Sequence, residues 1–365
     1  MKTMARGKYI GLKRAFVLFG FSSFLIAFQN CGNVNFSAQN TNTPSAASVI
    51  PTEPDSTNNI VKFEIPVRPF EKLSESPFFK LSDKVAVNTL TYVNFKLYSP
   101  QYPLYSDGAA KRRWVYIPEG ASIDTSNPDA WVFPQGTILF KEFSVGGKKV
   151  ETRVFEKVTN QSGFSAWRTS VYVWLTNQLD ADLLKVDSFY TQTEAEMSPY
   201  QASAIANQYR MATLTQCQTC HSSPKDVSQG FNYLQLSDAS KAINVFALDN
   251  LGYFSNSINR LDVIPGNDYE RSAIGYMQTN CATCHNGTGP GPHNFKHLST
   301  SRTLAEEPLI KSIGASSGLV TFGAPANSRL YSRMANKSMP KVTLFLQDSI
   351  GLKRLEDWIT FSVMP

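Results

Sequence analysis

Four of the five cysteines of this chain fall into two C-x-x-C-H motifs. The motifs consist of Cys217, Cys220 and His221 and of Cys281, Cys284 and His285. C-x-x-C-H is the attachment signature of c-type haem. The two sulfurs are spaced to add to the two vinyl groups of one haem, and the histidine that follows points at the iron as an axial ligand. We therefore predict two covalently bound haem c groups.

Two other kinds of site use paired cysteines. C-x-x-C pairs can hold structural zinc, and a single pair can act as a redox dithiol. A site with four cysteine ligands for zinc does not need a histidine after each pair, and a thioredoxin-like dithiol is not duplicated in this way. With only five cysteines and four histidines in the chain, two such motifs rarely arise by chance, so the sequence favours haem.

The distal ligand of each iron determines whether the haem transfers electrons or reacts with small molecules. Residues 268–365 contain a predicted helix, the second motif, the pair Met339-Pro340 and a predicted terminal helix, and they resemble the single-haem cytochrome c domain. In that family a Met-Pro pair before the last helix supplies the distal sulfur. The resemblance implies Met339 as the distal ligand of the second haem. Met334 is a nearby alternative, and packing of Met339 in the core is the other, because methionine is usually a core residue.

The distal ligand of the first haem is open, because residues 222–276 contain neither methionine nor histidine. The chain has four histidines, so a haem with two histidine ligands would use His293 or His297. The glycines and prolines of residues 287–292 favour a loop over a helix before these two, and both can also be surface histidines. The remaining candidates are Met277, Met211, Met197 and an iron without a distal ligand.

The first 30 residues have the layout of an export signal. Five lysines and arginines precede residue 15, and an apolar run follows from Ala15 to Phe28. A transmembrane helix needs roughly 20 apolar residues, so this run is short for a membrane span. Cys31, three residues after the run, resembles the acylated cysteine of bacterial lipoproteins, although Asn30 is larger than the residue that usually precedes it. The alternative is an incidental cysteine near an ordinary cleavage site.

The charge of the chain is concentrated in this signal. The formal net charge is +6, and the five charges before residue 15 leave only +1 for the rest. Nucleic-acid binding requires a clustered basic surface, so we predict no nucleic-acid partner. We expect a lipid anchor at Cys31 on a membrane, a periplasmic or cell-envelope location, and a redox partner protein.

The composition changes along the chain and predicts an α+β protein. After the signal (1–30), residues 31–60 are rich in Ser, Thr, Asn and Pro and predict a flexible tether. Residues 61–196 contain aromatic and β-branched runs typical of strands, at 113–117, 137–145, 148–155 and 172–174. Gly146-Gly147 predicts a hairpin between the second and third of these runs. We expect a mainly helical haem region to follow, with the first haem in 197–264 and a cytochrome c-like domain in 265–365, whose helices start near Asp268 and Asp348.

From about Phe70 to the end, the chain resembles a family of exported bacterial two-haem c-type cytochromes with a β-rich amino-terminal domain. The resemblance is carried by KLS at 72–74, FF at 78–79, YPLYSD at 102–107, KRRW at 111–114, FPQGT at 133–137, Lys141, Phe143, ETR at 151–153 and YVW at 172–174. It implies haem binding and electron transfer. Some relatives occur with quinoprotein sugar dehydrogenase modules, which implies that the chain accepts electrons from a periplasmic dehydrogenase.

The sequence favours an electron carrier and assigns no catalytic residue. Asp107, Glu151 and Arg153 are charged residues near aromatic runs, but surface ion pairs explain them better than acid–base catalysis. The alternative is a two-haem peroxidase with one open iron. A third hypothesis is a binding module in which the β-rich region recognises a ligand and the haems act as sensors.

Overall fold

The computed structural model describes residues 69–76, 95–184, 209, 211, 217–218, 221, 228–341 and 346–365. All of them belong to one compact unit, Lys62–Pro365, and Met1–Val61 form a separate unit. The predicted signal, the predicted lipidation site Cys31, the predicted tether, Cys220 and Met197 lie outside the described residues. In the described part of the chain, no helix combines the length and the apolar composition needed to cross a membrane.

A six-stranded antiparallel sheet forms the amino-terminal part, with the strands in sequence order. The strands are β1 (Phe95–Tyr98), β2 (Ala110–Tyr116), β3 (Ile138–Val145), β4 (Lys148–Lys157), β5 (Trp167–Trp174) and β6 (Ala181–Leu183). Gly146 and Gly147 connect β3 to β4 with φ of 56° and 78°. Two positive φ values are what a tight hairpin turn of two residues requires, so the predicted hairpin is confirmed.

Side chains alternate between the two faces of the sheet along each strand. Both faces carry a buried core. One face carries a core that includes Trp114, Phe140, Val154, Tyr172 and Trp174. The opposite face packs against residues that follow the first haem motif. This second core includes Val115, Leu139, Phe155, Phe231, Leu236 and Leu248. Residues on both sides of the predicted boundary at 196/197 therefore share one core.

Short helices and loops form the rest of the described chain. The helices are α1 (Val245–Asn250), α2 (Asp268–Asn280), α3 (Pro308–Gly314), α4 (Arg329–Ala335) and α5 (Ser349–Phe361). The side chain of Asn267 accepts hydrogen bonds from the first turn of α2, and the Asn267 amide donates to Glu270 Oε2 at 2.6 Å. This capping box starts α2 at the predicted place. The six-stranded sheet together with these helices confirms an α+β fold.

Helices α2 and α5 pack against each other at a glycine. A Cβ atom at Gly351 of α5 would collide with the ring of Tyr276 of α2, so glycine is what lets the ring lie against the helix backbone. The Tyr276 hydroxyl then donates a hydrogen bond to Asp348 Oδ2 at 2.9 Å. Asp348 also caps α5, because its Oδ1 accepts from the Gly351 amide at 2.8 Å. The helix pair therefore fixes the end of α2, where the second C-x-x-C-H motif begins.

Candidate haem attachment sites

The second motif folds back on itself where α2 ends. Cys281 is the C-cap of α2, and its amide donates to the Met277 carbonyl at 2.9 Å. The Cys281 carbonyl then accepts hydrogen bonds from the amides of Cys284, at 3.1 Å, and His285, at 2.9 Å. This turn holds both sulfurs and the imidazole in one compact segment.

A loop closes over the imidazole of His285. The Asn286 side chain accepts hydrogen bonds from the amides of Thr288 and Gly289 at 3.0 and 2.7 Å, which holds the loop in shape. A Cβ atom at Gly291 would collide with the His285 ring. Glycine at this position therefore lets the loop backbone lie directly against the imidazole.

The protonation state and the hydrogen bonding of the His285 ring suit an iron ligand. Among the described residues, Nδ1 is buried and has no hydrogen-bond partner. Burial lowers the pKa of His285, and the nearby His293 and Lys341 lower it further. The neutral ring that results is the form that binds a metal.

The two thiols of this motif are close enough for Cys284 to act on the pKa of Cys281. Burial raises the pKa of Cys281 to about 12, and the neighbouring Cys284 and Asp348 act in the same direction. Cys281 also borders the apolar core that contains Met277 and Trp358. A protonated thiol at the edge of an apolar core suits the attachment of an apolar ring.

His293 lies beside the second motif. Its ring stacks on His285 with the ring centroids 6.2 Å apart and on Phe295 with the centroids 5.7 Å apart. Burial lowers its pKa, with a contribution from Arg329. His293 was predicted as a candidate distal ligand of the first haem, but these contacts place it next to the proximal histidine of the second.

His297, the other histidine candidate, is held by two carboxylates. It is 4% exposed, with Nδ1 at 2.7 Å from Glu307 Oε1 and Nε2 at 3.0 Å from Asp262 Oδ1. Burial alone would lower its pKa, but the hydrogen bonds with Asp262 and Glu307 and their charges raise it to about 9. The ring is therefore a cation at neutral pH with both nitrogens occupied. To bind iron it would have to give up one of these bonds, so the geometry argues against His297 as a haem ligand.

Met339 and Met334 differ in their surroundings. Met334 is buried, and its sulfur lies 3.7 Å from the Tyr276 hydroxyl oxygen. Met339 is half-buried, and its amide donates to the Arg333 carbonyl at 3.1 Å. Lys341, two residues after Met339, is close enough to lower the pKa of His285. The Met339 segment thus passes near the second motif, and ligation by Met339 stays a prediction.

The first motif lies against the sheet. Cys217 is 3% exposed, and burial raises its pKa, with charges from Arg153, Glu151 and Lys141 acting on it. The ring of His221 packs on Phe155 with the centroids 4.9 Å apart. Glu151, Arg153 and Phe155 alternate along β4 and so share one face of the sheet. Cys217 and His221 therefore meet the same sheet face.

The sequence suggested surface ion pairs for the charged residues on this face. For Glu151 and Arg153 this interpretation is wrong. Glu151 is fully buried, and Arg153 donates to both of its carboxylate oxygens, at 2.5 and 3.0 Å. The Tyr209 hydroxyl donates to the same carboxylate. Sequence reasoning missed this arrangement, because nothing local in the pattern indicates that another segment covers the strand.

Met211 is the methionine that the described structure brings to this face. It is buried in a cluster with Phe143 and Tyr209, both of which neighbour Glu151. Met277, by contrast, is buried in the core beneath the second motif. Of the two methionine candidates for the first haem that the structure describes, the geometry favours Met211 over Met277.

Among the described residues, no group of three or more His, Cys, Asp and Glu side chains is arranged to hold a metal ion. No protein-family model, curated protein or solved structure matches the chain.

Proposed function

We propose that the chain is an exported c-type cytochrome that carries two covalently attached haems and transfers electrons. The observation that carries this proposal is the pair of C-x-x-C-H motifs, together with the geometry of the second. There, two thiols and an imidazole whose buried Nδ1 has no hydrogen-bond partner among the described residues lie in one turn against an apolar core.

The residues of each motif would hold the haem in two ways. Each cysteine would hold the haem through a thioether bond to one vinyl carbon, with the thiol proton transferred to the other vinyl carbon. The double bond becomes single, and no external oxidant or reductant is needed. His221 and His285 would bind the iron from the proximal side. The bound haem supplies a one-electron couple between ferric and ferrous iron.

The surroundings of the second motif would tune that couple. Ile274, Phe295 and Trp358 belong to the buried core beside Cys281. An apolar environment disfavours the extra positive charge of ferric iron and so raises the reduction potential, and a methionine sulfur from Met339 would raise it further. Both effects suit a haem that receives electrons.

The place of the protein in the cell is part of the proposal. An export signal and an acylated Cys31 would attach it to a membrane, with the haem unit held in the periplasm or cell envelope. A protein partner, such as a periplasmic dehydrogenase, would supply the electrons.

A two-haem peroxidase is the second candidate, and one observation favours it. His293 stacks on His285, and both nitrogens of His297 are occupied by carboxylates. The first haem then has no histidine in reach as a distal ligand among the described residues. Unless Met211 or another sulfur binds, its iron would be open to peroxide.

Visible spectra of the purified exported protein distinguish these functions. An electron carrier gives two low-spin haems that do not react with carbon monoxide or peroxide. A peroxidase gives one high-spin haem that binds carbon monoxide when reduced and turns over peroxide. A Met211→Ala variant identifies the ligand: new carbon monoxide binding at one haem assigns the sulfur, and an unchanged spectrum excludes it.

A further inference from the structure

Three basic residues stand directly opposite one another on neighbouring strands. Arg113 of β2 pairs with Lys141 of β3, and Lys141 pairs with Arg153 of β4. Like charges at directly opposed positions destabilise a sheet. We call Arg113, Lys141 and Arg153 the cationic row. Lys111 lies on the same face, two residues before Arg113 on β2.

The protein itself neutralises only part of this charge. The carboxylate of Glu151 is taken by Arg153 and Tyr209. Lys111 donates to the carbonyls of Leu104 and Ala109, at 2.9 and 3.1 Å. Its other charged neighbours are Asp107 and Asp348, which raise its pKa, whereas burial, Arg113 and Arg153 lower it to about 8.

Arg113 and Lys141 are left without a carboxylate partner among the described residues. Arg113 is 6% exposed, so its guanidinium is removed from water with no ion pair in compensation. The amine of Lys141 lies 5.0 Å from the centre of the Phe143 ring, and the charge of Glu151 also acts on it. Burial and the charges of Arg113, Arg153 and Lys111 hold the pKa of Lys141 well below its usual range. Arg113 is a buried cation, which is normally paired, and Lys141 beside it is partly exposed, so an anion is expected to bind here.

The first haem motif lies on the same face. Cys217 is close enough to Arg153 and Lys141 for their charges to act on its thiol, and His221 packs on Phe155. Two strand spacings separate Arg153 from Arg113, which is roughly 9 to 10 Å. A haem attached at Cys217 would therefore lie near these cations, and every haem c carries two propionate carboxylates.

We propose that Arg113 and Lys141 bind the propionates of the first haem, so that the sheet forms one wall of that haem's site. This inference rests on the proposed covalent haem at the first motif. It gives the β-rich region a role in the haem site itself, and it explains why cations are gathered on a covered face of the sheet.

The test uses the full-length exported holoprotein in five forms: wild type, Lys141→Met, Lys141→Arg, Arg113→Met and Lys148→Met. Lys148 is an exposed lysine in the hairpin end of β4 and serves as the matched control. Mass spectrometry first counts the attached haems. Redox titration then gives both reduction potentials, and infrared difference spectra with ¹³C-labelled propionates report the carboxylate environment.

A positive charge beside a haem favours its reduced form. We expect Lys141→Met to lower the reduction equilibrium constant of one haem about tenfold, or about 59 mV for one electron, and to leave the other haem unchanged. The labelled carboxylate bands should shift in Lys141→Met and Arg113→Met, return in Lys141→Arg, and stay in place in Lys148→Met. If Arg113→Met does not fold, the two Lys141 variants decide the question.

Two results overturn the inference and are distinguishable. If wild type carries no haem at Cys217 and Cys220, the proposed function is wrong for the first motif, and the inference is wrong as well. If both haems are attached but neither the potentials nor the labelled carboxylate bands change in Lys141→Met and Arg113→Met, only the inference fails.

Discussion

His297 provides a quantitative test of how the second half of the chain is held together. Its ring is buried between Asp262 and Glu307, and its pKa is raised from 6.5 to about 9. At about 1.4 kcal/mol for each pH unit, the charged ring contributes roughly 3 kcal/mol to the free energy of unfolding. Because the pKa is raised in the folded state, this contribution is complete below pH 6.5 and disappears as the pH rises through 9.

The assay is urea unfolding of the holoprotein followed by circular dichroism between pH 6 and pH 10. We expect the free energy of unfolding to fall by roughly 3 kcal/mol across this range. His297→Gln should flatten the fall and, at pH 6.5, lower stability by about 3 to 5 kcal/mol, because two buried carboxylates lose their cation. His293→Gln is the matched control, since the pKa of His293 is lowered and it has no carboxylate partner among the described residues.

The same variants show whether His297 binds iron. With its nitrogens held by Asp262 and Glu307, His297→Gln should leave the visible spectra of both haems unchanged. A stability that does not vary between pH 6.5 and 9 would refute the buried cation. A change in spin state of one haem in His297→Gln would show that the ring binds iron instead.

Three further substitutions test the second motif. Gly291→Ala places a methyl group against the His285 ring. It should lower the free energy of unfolding by about 1 to 3 kcal/mol, measured by thermal unfolding, and reduce haem attachment at Cys281 and Cys284, measured by intact mass. Full attachment with wild-type stability would contradict the close approach. Tyr276→Phe removes the hydrogen bond to Asp348 and should lower the free energy of unfolding by about 1 to 2 kcal/mol in urea titrations, whereas no change would mean that water replaces it. Met339→Ala should lower the second haem's potential and let carbon monoxide bind it, and an unchanged spectrum would exclude this sulfur.

Local patterns predicted the elements of the fold. Aromatic and β-branched runs with Gly146-Gly147 between two of them gave the β3–β4 hairpin, because both signals depend on residues adjacent in sequence. The spacing of apolar residues likewise gave α2 and α5. The C-x-x-C-H motifs could be recognised for the same reason, since all their atoms come from five consecutive residues.

The contacts between distant residues could not be predicted. The cationic row depends on strand register, which places Arg113 opposite Lys141 and Lys141 opposite Arg153. The site of His297 likewise joins residues that are 35 and 10 positions apart in the chain. No periodicity connects such residues, so only the folded chain shows that they meet.

The most direct test of the account is the intact mass of the exported protein after denaturation and removal of non-covalent cofactors. The account predicts a chain with two haem additions. It also predicts the loss of one addition when Cys217 and Cys220 are changed to serine, and of the other when Cys281 and Cys284 are. An unmodified mass, or zinc in place of haem, would contradict it.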